Sequence, residues 1–519
     1  VHRYRFPEQD HELKEGDKPH IAARREYAGE IVALDDLRRT VDVKRGAGYE
    51  MPGRMSLVPE DSVRADAMRD SLLRLAEAVL EDGLGESDRT RLAADLLMRR
   101  PPSFVGAGQP EGAPLRHEDE GEDELAAARR LARDLDRSVL AIQGPPGSGK
   151  TYTGARMIAD LLAEGRSVGV TATSHKVMGH LLEGVCEVAR ERGLEFRGIQ
   201  KAGDGQDCDD PLIERIGSPA DVAGAIAEAR EAGTPVLAAG TAWQWSREDM
   251  AGSVDVLFVD EAGQFSLANA LAVAQAAGSL VLLGDPQQLE QPIQGIHPEG
   301  AGASALEHLL DGAATIAPEQ GLFLAHTWRL HPDLCAFTSE QFYQGLLRSQ
   351  DGLDRQRVDG PAPFGGTGLR VVPVAHTGNR NHAPEEVETV RRLVEELLAA
   401  GATWTDMDGA SHDIGLADVL IVAPYNAHVT ALREALPEEA RVGTVDKFQG
   451  QEAPVVIYSM ATSRPEDAPR GMEFLYAADR LNVATSRARC VAVVVANPQL
   501  MKPACRTVRQ MELANGYAR

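Results

Sequence analysis

Lysine is scarce in this chain. It occurs only at positions 14, 18, 44, 150, 176, 201, 447 and 502, so arginine carries most of the positive charge. The 79 acidic residues outnumber the 54 lysines and arginines, and the net charge of −25 disfavours indiscriminate binding to nucleic acid. Net charge leaves room for a local basic channel. Cysteine is sparse as well. Cys186, Cys208, Cys335, Cys490 and Cys505 show no C-x-x-C spacing, which argues against a zinc or iron–sulfur site, and their odd number argues against a disulfide framework. A reducing, cytoplasmic setting is expected. No apolar run approaches the roughly 20 residues that span a bilayer, so no membrane association is expected, nor is a secretory signal. The first residue is Val1, which suggests a fragment or a processed form.

The chain has 519 residues, too many for one core, and about three domains is the expectation. Its most informative stretch is Gly144-Pro145-Pro146-Gly147-Ser148-Gly149-Lys150-Thr151, which fits the phosphate-loop pattern G-x-x-x-x-G-K-[ST]. A short apolar run at 138–142 reads as a buried parallel strand, and residues 151–162 read as a helix. In that context the glycines let backbone N–H groups curl around a phosphate, and the helix N-terminus adds partial positive charge. Lys150 is expected to reach the β- and γ-phosphates, and Thr151 to hold Mg²⁺.

Before the loop, residues 29–34 and 40–44 read as two strands joined by a turn, within a small β module at 27–57. Asp42-x-Lys44 after Asp35 and Asp36 has the look of a restriction-type nuclease core, but alternating polarity on a solvated strand produces the same pattern. Residues 63–81 have helical spacing, 89–98 suggest a second helix, and 106–114 form a linker rich in Gly and Pro. An acidic run at 118–124 leads into a helix at 124–135. After the loop, strands are expected at 167–174, 236–241, 254–261 and 279–285, with an acidic insertion at 195–235 that holds a helix at 219–232. Strands alternating with helices imply a parallel doubly wound sheet that binds ligands at the strands' carboxyl ends. A second α/β set follows from about residue 322, with strands at 367–374, 418–423, 441–445, 455–459 and 491–495 and helices at 385–400 and 427–436.

Several stretches sit at those strand ends. Asp260 and Glu261 close an apolar strand; Asp260 is expected to coordinate Mg²⁺ and Glu261 to polarise an attacking water. Gly284-Asp285-Pro286-Gln287-Gln288-Leu289 follows the next strand, where a polar group would lie beside the γ-phosphate. Together with Trp328-Arg329-Leu330-His331-Pro332, residues 445–452 (VDKFQGQE) and residues 480–489 (RLNVATSRAR), these stretches resemble the motif series of superfamily 1 helicases, in family order from about 125 to 500. The branch most similar contains the nonsense-mediated-decay RNA helicase and the nuclease-helicase of Okazaki-fragment processing. The arrangement also resembles the helicase half of bacterial proteins that fuse a RecB-like nuclease to such a motor.

The resemblance implies an α/β fold of two RecA-like parallel-sheet domains with a small N-terminal β module and a helical stalk. The divisions expected are 1–62 for the module, 63–116 for stalk and linker, 117–321 for the first RecA-like domain and 322–519 for the second. It implies ATP-driven translocation or unwinding on single-stranded nucleic acid, DNA rather than RNA, in the 5′-to-3′ direction, with Mg²⁺ as cofactor. By resemblance, Gln288 senses the γ-phosphate and Arg329 and Arg487 serve the triphosphate as arginine fingers. Trp328 stacks on the base, Glu452 contacts the ribose, and Gly450 lets backbone approach phosphate. Thr173, Ser174, Lys176, Thr241 and Thr444 match positions that touch the nucleic-acid backbone, contacts without sequence information. Two departures stand out. Ala127 occupies the position of the family's adenine-reading glutamine, and His175 follows Ser174 where the family has asparagine. The alternatives are an NTPase switch that never unwinds, an RNA helicase, and a nuclease resting on Asp42-x-Lys44.

Overall fold

The computed structural model describes residues 1–9, 11, 13–59, 65–106, 112–203, 205, 207–290, 300 and 302–518. Contacts divide the chain into two units, one of residues 65–328 and 342–348, the other of residues 1–64, 329–341 and 349–519.

The N-terminal part of the second of these is built of short strands: β1 (His2–Arg5), β2 (His20–Ile21), β3 (Glu26–Tyr27), β4 (Glu30–Asp35), β5 (Thr40–Lys44) and β6 (Leu57–Val58). They form two three-stranded antiparallel sheets, ordered β1-β5-β4 and β3-β2-β6. The expected hairpin is β4–β5. Asp42 faces Arg3 across the β1–β5 pair, and the guanidinium grips its carboxylate with two hydrogen bonds of 2.7 Å. Asp35 is taken by Arg38 in the turn. These carboxylates hold strands and turns together. Among the described residues, no group of three or more His, Cys, Asp or Glu side chains is placed to hold a metal ion.

The other unit starts with helices α1 (Asp66–Asp82) and α2 (Asp88–Leu97). The expected helix start at Val63 and most of the linker, 107–111, lie outside the described residues. From α3 (Glu124–Asp134) onward the chain alternates: β7 (Val139–Gln143), α4 (Lys150–Ala163), β8 (Val168–Thr171), α5 (His175–Arg192), β9 (Arg197–Lys201), β10 (Ile213–Ile216), α6 (Pro219–Glu231), β11 (Val236–Ala239), α7 (Ala242–Trp245), β12 (Val254–Val259), α8 (Leu267–Ala274), β13 (Ala277–Gly284), α9 (Ala305–Leu310) and β14 (Gly321–Phe323). The strands pair in parallel in the order β10-β9-β11-β8-β12-β13-β7-β14. Along β7, Val139 and Ala141 join the core on one face while Leu140 and Ile142 join the core on the other, so helices cover both sides. The termini of α5 show the local logic. Ser174 caps its first turn by accepting from the Val177 N–H, and Gly193 ends it in the left-handed region.

The sheet is wider than expected. The stretch 195–235 adds strands β9 and β10 to one edge, where an insertion was expected, and β14 extends the other edge beside β7. Gly198 permits this, because a Cβ there would collide with the Leu212 carbonyl.

After β15 (His326–Thr327) and α10 (Pro332–Phe342) come β16 (Arg348–Ser349), β17 (Arg357–Asp359), β18 (Gly368–Pro373), α11 (Pro384–Ala399), β19 (Thr403–Thr405), β20 (Ser411–Asp413), β21 (Val419–Ala423), α12 (Asn426–Ala435), β22 (Arg441–Thr444), β23 (Ala453–Ser459) and β24 (Ala488–Ala496). Five of these strands make a second parallel sheet, β18-β24-β23-β21-β22, and β17, β19 and β20 form a small antiparallel one that had not been expected. The strands and helices predicted for the large sheet are all present. Both large parallel sheets thus have the RecA-like form.

Packing at the centre of the first sheet is tight. The Trp245 indole is buried and donates to the Val170 carbonyl at 3.0 Å, and a Cβ on Gly169 would lie 2.7 Å from its ring and 2.8 Å from Leu257. Gly169→Val should therefore destabilise this unit by about 1–3 kcal/mol through overpacking. Urea unfolding followed by Trp fluorescence will show it as a lowered midpoint with an unchanged slope.

Candidate nucleotide site

The phosphate loop joins β7 to α4. Gly147 (φ +74) and Gly149 (φ +80) take left-handed backbone, which lets successive N–H groups turn inward ahead of the helix. Lys150 Nζ donates to the Gly144 carbonyl at 2.5 Å, and a side chain on Gly144 would collide with Lys150. Ser148 Oγ is buried with no hydrogen-bond partner. An orphaned hydroxyl and an amine folded onto its own loop fit a cradle whose partner is an anion.

The acidic turn lies beside it. Asp260 follows β12 and is buried; it accepts one hydrogen bond, 2.9 Å from the Glu261 N–H. Burial first, and the Glu261 charge second, push its carboxyl up to about 7, against the pull of that N–H and of Lys150. A desolvated carboxylate with a single neutral donor fits a divalent cation, with Thr151 as the neighbouring hydroxyl ligand. Glu261 holds φ +52, costly for a residue with a side chain and the kind of strain found where a turn aims a functional group. The turn is clamped from β13. A Cβ on Gly263 would lie 2.5 Å from the Asp285 carbonyl oxygen, and one on Gly284 would lie 2.6 Å from the N–H nitrogens of Ala262 and Gly263. Backbone thus rests on backbone. Asp285 in turn accepts from Gln288 Nε2 at 2.9 Å and from the Tyr343 hydroxyl at 2.6 Å, which sets the Gln288 side chain.

The remaining expected residues of this unit occupy the same carboxyl-end edge. Thr241 follows β11 and Thr173 and Ser174 follow β8, so the strand order places them on one flank and the phosphate loop on the other, with Asp260 between. Thr173 and Lys176 are exposed, while Ser174 Oγ is used as the α5 cap. His175, the departure from the family pattern and the first residue of α5, has Nδ1 3.0 Å from Asp207. Trp328 is 56% exposed, and its N–H donates to the Gly147 carbonyl at 2.8 Å. Ala127 is buried in the core and presents no polar atom from its side chain.

In the other unit, Glu452 lies between Arg329 and Arg489 and is hydrogen-bonded to both. Burial works to raise its carboxyl, but the two guanidiniums outweigh it and hold the group below the usual range. Arg329 also donates to the Ser486 carbonyl at 3.3 Å, and Arg487 is almost fully buried with Nη1 3.5 Å from the Gln451 carbonyl. Gly450 has φ +79 and open space around it, and Thr444 ends β22 half-buried.

One cluster was not anticipated. At the carboxyl ends of β21 and β23, Ser459 Oγ donates to Glu386 at 2.7 Å and meets His428 Nε2 at 2.7 Å. Glu386 also meets His376 Nε2 at 2.9 Å, and His376 Nδ1 reaches Ser463 at 2.7 Å. All five residues are buried. The one available signal was polar residues at buried-helix spacing, Glu386 among Val390, Leu393, Val394 and Leu397.

A phosphate cradle, an acidic turn and a glutamine at adjacent ends of a parallel sheet define a phosphate-loop nucleotide-binding protein. Residues 122–306 match one family model described as AAA domain, and residues 302–499 match another of the same description. Similar curated proteins include a regulator of nonsense transcripts 1 homolog of Arabidopsis thaliana, 25% identical over 71% of this chain and 32% of its own length. Another is the DNA replication ATP-dependent helicase/nuclease JHS1 of the same plant, 24% identical over 69% of this chain and 27% of its own length. A solved Arterivirus nonstructural protein 10 (helicase) in complex with DNA covers 72% of this chain and 62% of its own, with 16% identity and a TM-score of 0.38. The chain is thus similar to superfamily 1 helicases over most of its length, and it spans about a third or less of the length of these two curated relatives.

His428 gives the cluster a pH signature. Burial, reinforced by His382 and His376, pushes its imidazole down to about 3. The unfolded chain takes the proton near the ordinary value of about 6.5. Between the two the unfolded state binds more protons, so this stabilisation is complete above about 6.5 and is lost as pH falls. Wild type should lose up to about 1.4 kcal/mol per pH unit more than His428→Gln between pH 6 and 4, read by urea titrations at each pH.

Proposed function

We propose that this chain is an ATP-dependent motor that moves along or unwinds single-stranded nucleic acid, DNA in preference to RNA, in the 5′-to-3′ direction and in the cytoplasm. The observation that carries the reading is the shared edge of the first sheet, where the phosphate loop, Asp260–Glu261 and Asp285–Gln288 follow neighbouring strands β7, β12 and β13. Beyond them on the same edge come Thr173, Ser174 and Thr241, suited to phosphate and sugar. Bound Mg²⁺ neutralises charge on the triphosphate and orients it.

The protein's own groups do the rest. The loop N–H groups and Lys150 hold the phosphates, Thr151 and Asp260 hold the cation, and Glu261 takes the proton of the attacking water. Gln288 senses the γ-phosphate, Arg329 and Arg487 spread positive charge over the transferring group, and Trp328, Gly450 and Glu452 settle base, phosphate and ribose. Lys176 and Thr444 join the threonines in holding the strand. A fused or associated RecB-like nuclease is the partner proposed, and one similar protein is named a helicase/nuclease. Asp42, engaged by Arg3, is not proposed to cut nucleic acid.

Lys150→Ala should abolish strand-stimulated ATP hydrolysis, and Glu261→Gln should lower kcat by about 10²–10⁴ while nucleotide still binds. Hydrolysis surviving Lys150→Ala ends the assignment. On duplexes with a single tail, the 5′-tailed form should be unwound. Hydrolysis stimulated by strand with no unwinding of any substrate selects a switch instead of a motor.

A further inference from the structure

The small antiparallel sheet β17-β19-β20 meets the segment that carries Arg329. Gln356, the residue before β17, donates from Nε2 to the Arg329 carbonyl at 3.5 Å. Trp404 of β19 is 8% exposed, and the guanidinium carbon of Arg489 sits over its ring, 5.6 Å from the centroid. His412, opposite Trp404 across the β19–β20 pair, stacks on the indole at 4.9 Å and is itself held by Asp406 at 2.7 Å. From this fixed aromatic surface Arg489 donates through both Nε and Nη2 to Oε1 of Glu452, the Nε contact being 2.9 Å. Arg329 Nε takes the other oxygen, Oε2. Two arginines thus share one carboxylate, an oxygen each. Arg489 also touches the Arg329 segment through its backbone, its carbonyl accepting from the His331 N–H at 3.1 Å.

We infer that Arg489, braced by Trp404, is a positioning residue for hydrolysis: it holds the Glu452 carboxylate so that Arg329 can serve the triphosphate. This rests on the role proposed above for Arg329. A partly buried carboxylate with one cation resists giving it up, because the charge left behind is desolvated and unpaired. With Arg489 as the sole loss, Arg329 would be detained in that way. With Arg489 on Oε1, the negative charge stays paired whichever way Arg329 points. The brace matters because the Nε–Nη2 edge must stay aimed at Oε1. The negative face of the indole attracts the guanidinium and fixes its plane, and the fork supplies two donors to one oxygen. The sheet that sequence spacing does not reveal thereby acquires a task, since β19 supplies Trp404 and β20 supplies the His412 that backs it.

The test is a double-mutant cycle on steady-state ATP hydrolysis with Mg²⁺ and saturating oligo-dT. Arg489→Ala should lower kcat by about tenfold and leave KM for ATP within about twofold, the pattern of an interaction needed only in the transition state. The Glu452 side chain is 31% exposed, so the loss falls short of the about 10³–10⁵ that a whole arginine finger supplies. In a Glu452→Gln background the same Arg489→Ala change should leave kcat unaltered, since no carboxylate remains to detain Arg329. A folding defect would cost both backgrounds alike. Trp404→Leu should lower kcat by about threefold, and Trp404→Phe, which keeps a ring face, by less than about twofold. Wild-type kcat in Arg489→Ala, or an equal loss in both backgrounds, overturns the inference. Arg329→Ala separates the two possible failures. A large loss of kcat there, without coupling between Arg489 and Glu452, ends the positioning role alone. No loss there ends the finger role of Arg329 as well.

Discussion

The close approach of two backbones at the ends of β12 and β13 governs the arrangement of the nucleotide site. Gly263 and Gly284 have no side chains, and neither position could carry one, because the opposing main chain is already at van der Waals contact. That approach brings the acidic turn under the Asp285–Gln288 loop. The left-handed conformation of Glu261 is held by a surrounding structure that leaves it no alternative. A turn of this kind keeps its carboxylates rigid without spending side-chain contacts on them, which leaves Asp260 desolvated and in need of a cation.

Much of this arrangement was readable in the sequence because glycine, apolar runs and helix caps are local signals. The phosphate loop, the five central strands of the first sheet and the helices between them follow from short-range pattern alone. The strands toward the two edges did not. β9 mixes arginine, glutamine and lysine with one isoleucine although Gly198, Ile199 and Gln200 are buried, and β14 has three residues, too few to show a period. Their identity as strands comes from pairing with a neighbour that sequence spacing does not reveal. Ala127, which the residue count from the phosphate loop puts in the place of the family's glutamine, is buried and offers no polar side-chain atom.

The polar cluster of His376, Glu386, His428, Ser459 and Ser463 was hard to see for a related reason. Its members are scattered along the chain, and only Glu386 sits at the spacing of a buried helix face. Only the parallel packing of β21 beside β23, with α11 and α12 over their ends, gathers them out of water. Fully partnered buried networks of this sort hold loops at a sheet edge in one arrangement, since any alternative strands a donor or acceptor.

The double engagement of Glu452 bears on how a guanidinium changes hands. An ion pair with a single partner resists separation, because the group left behind would be a desolvated charge costing about 3–5 kcal/mol. Glu452 has Arg329 on one side and Arg489 on the other. Were Arg329 drawn to another anion, the carboxylate would keep Arg489 as its second cation. The spare arginine lowers the cost of parting Arg329 from Glu452.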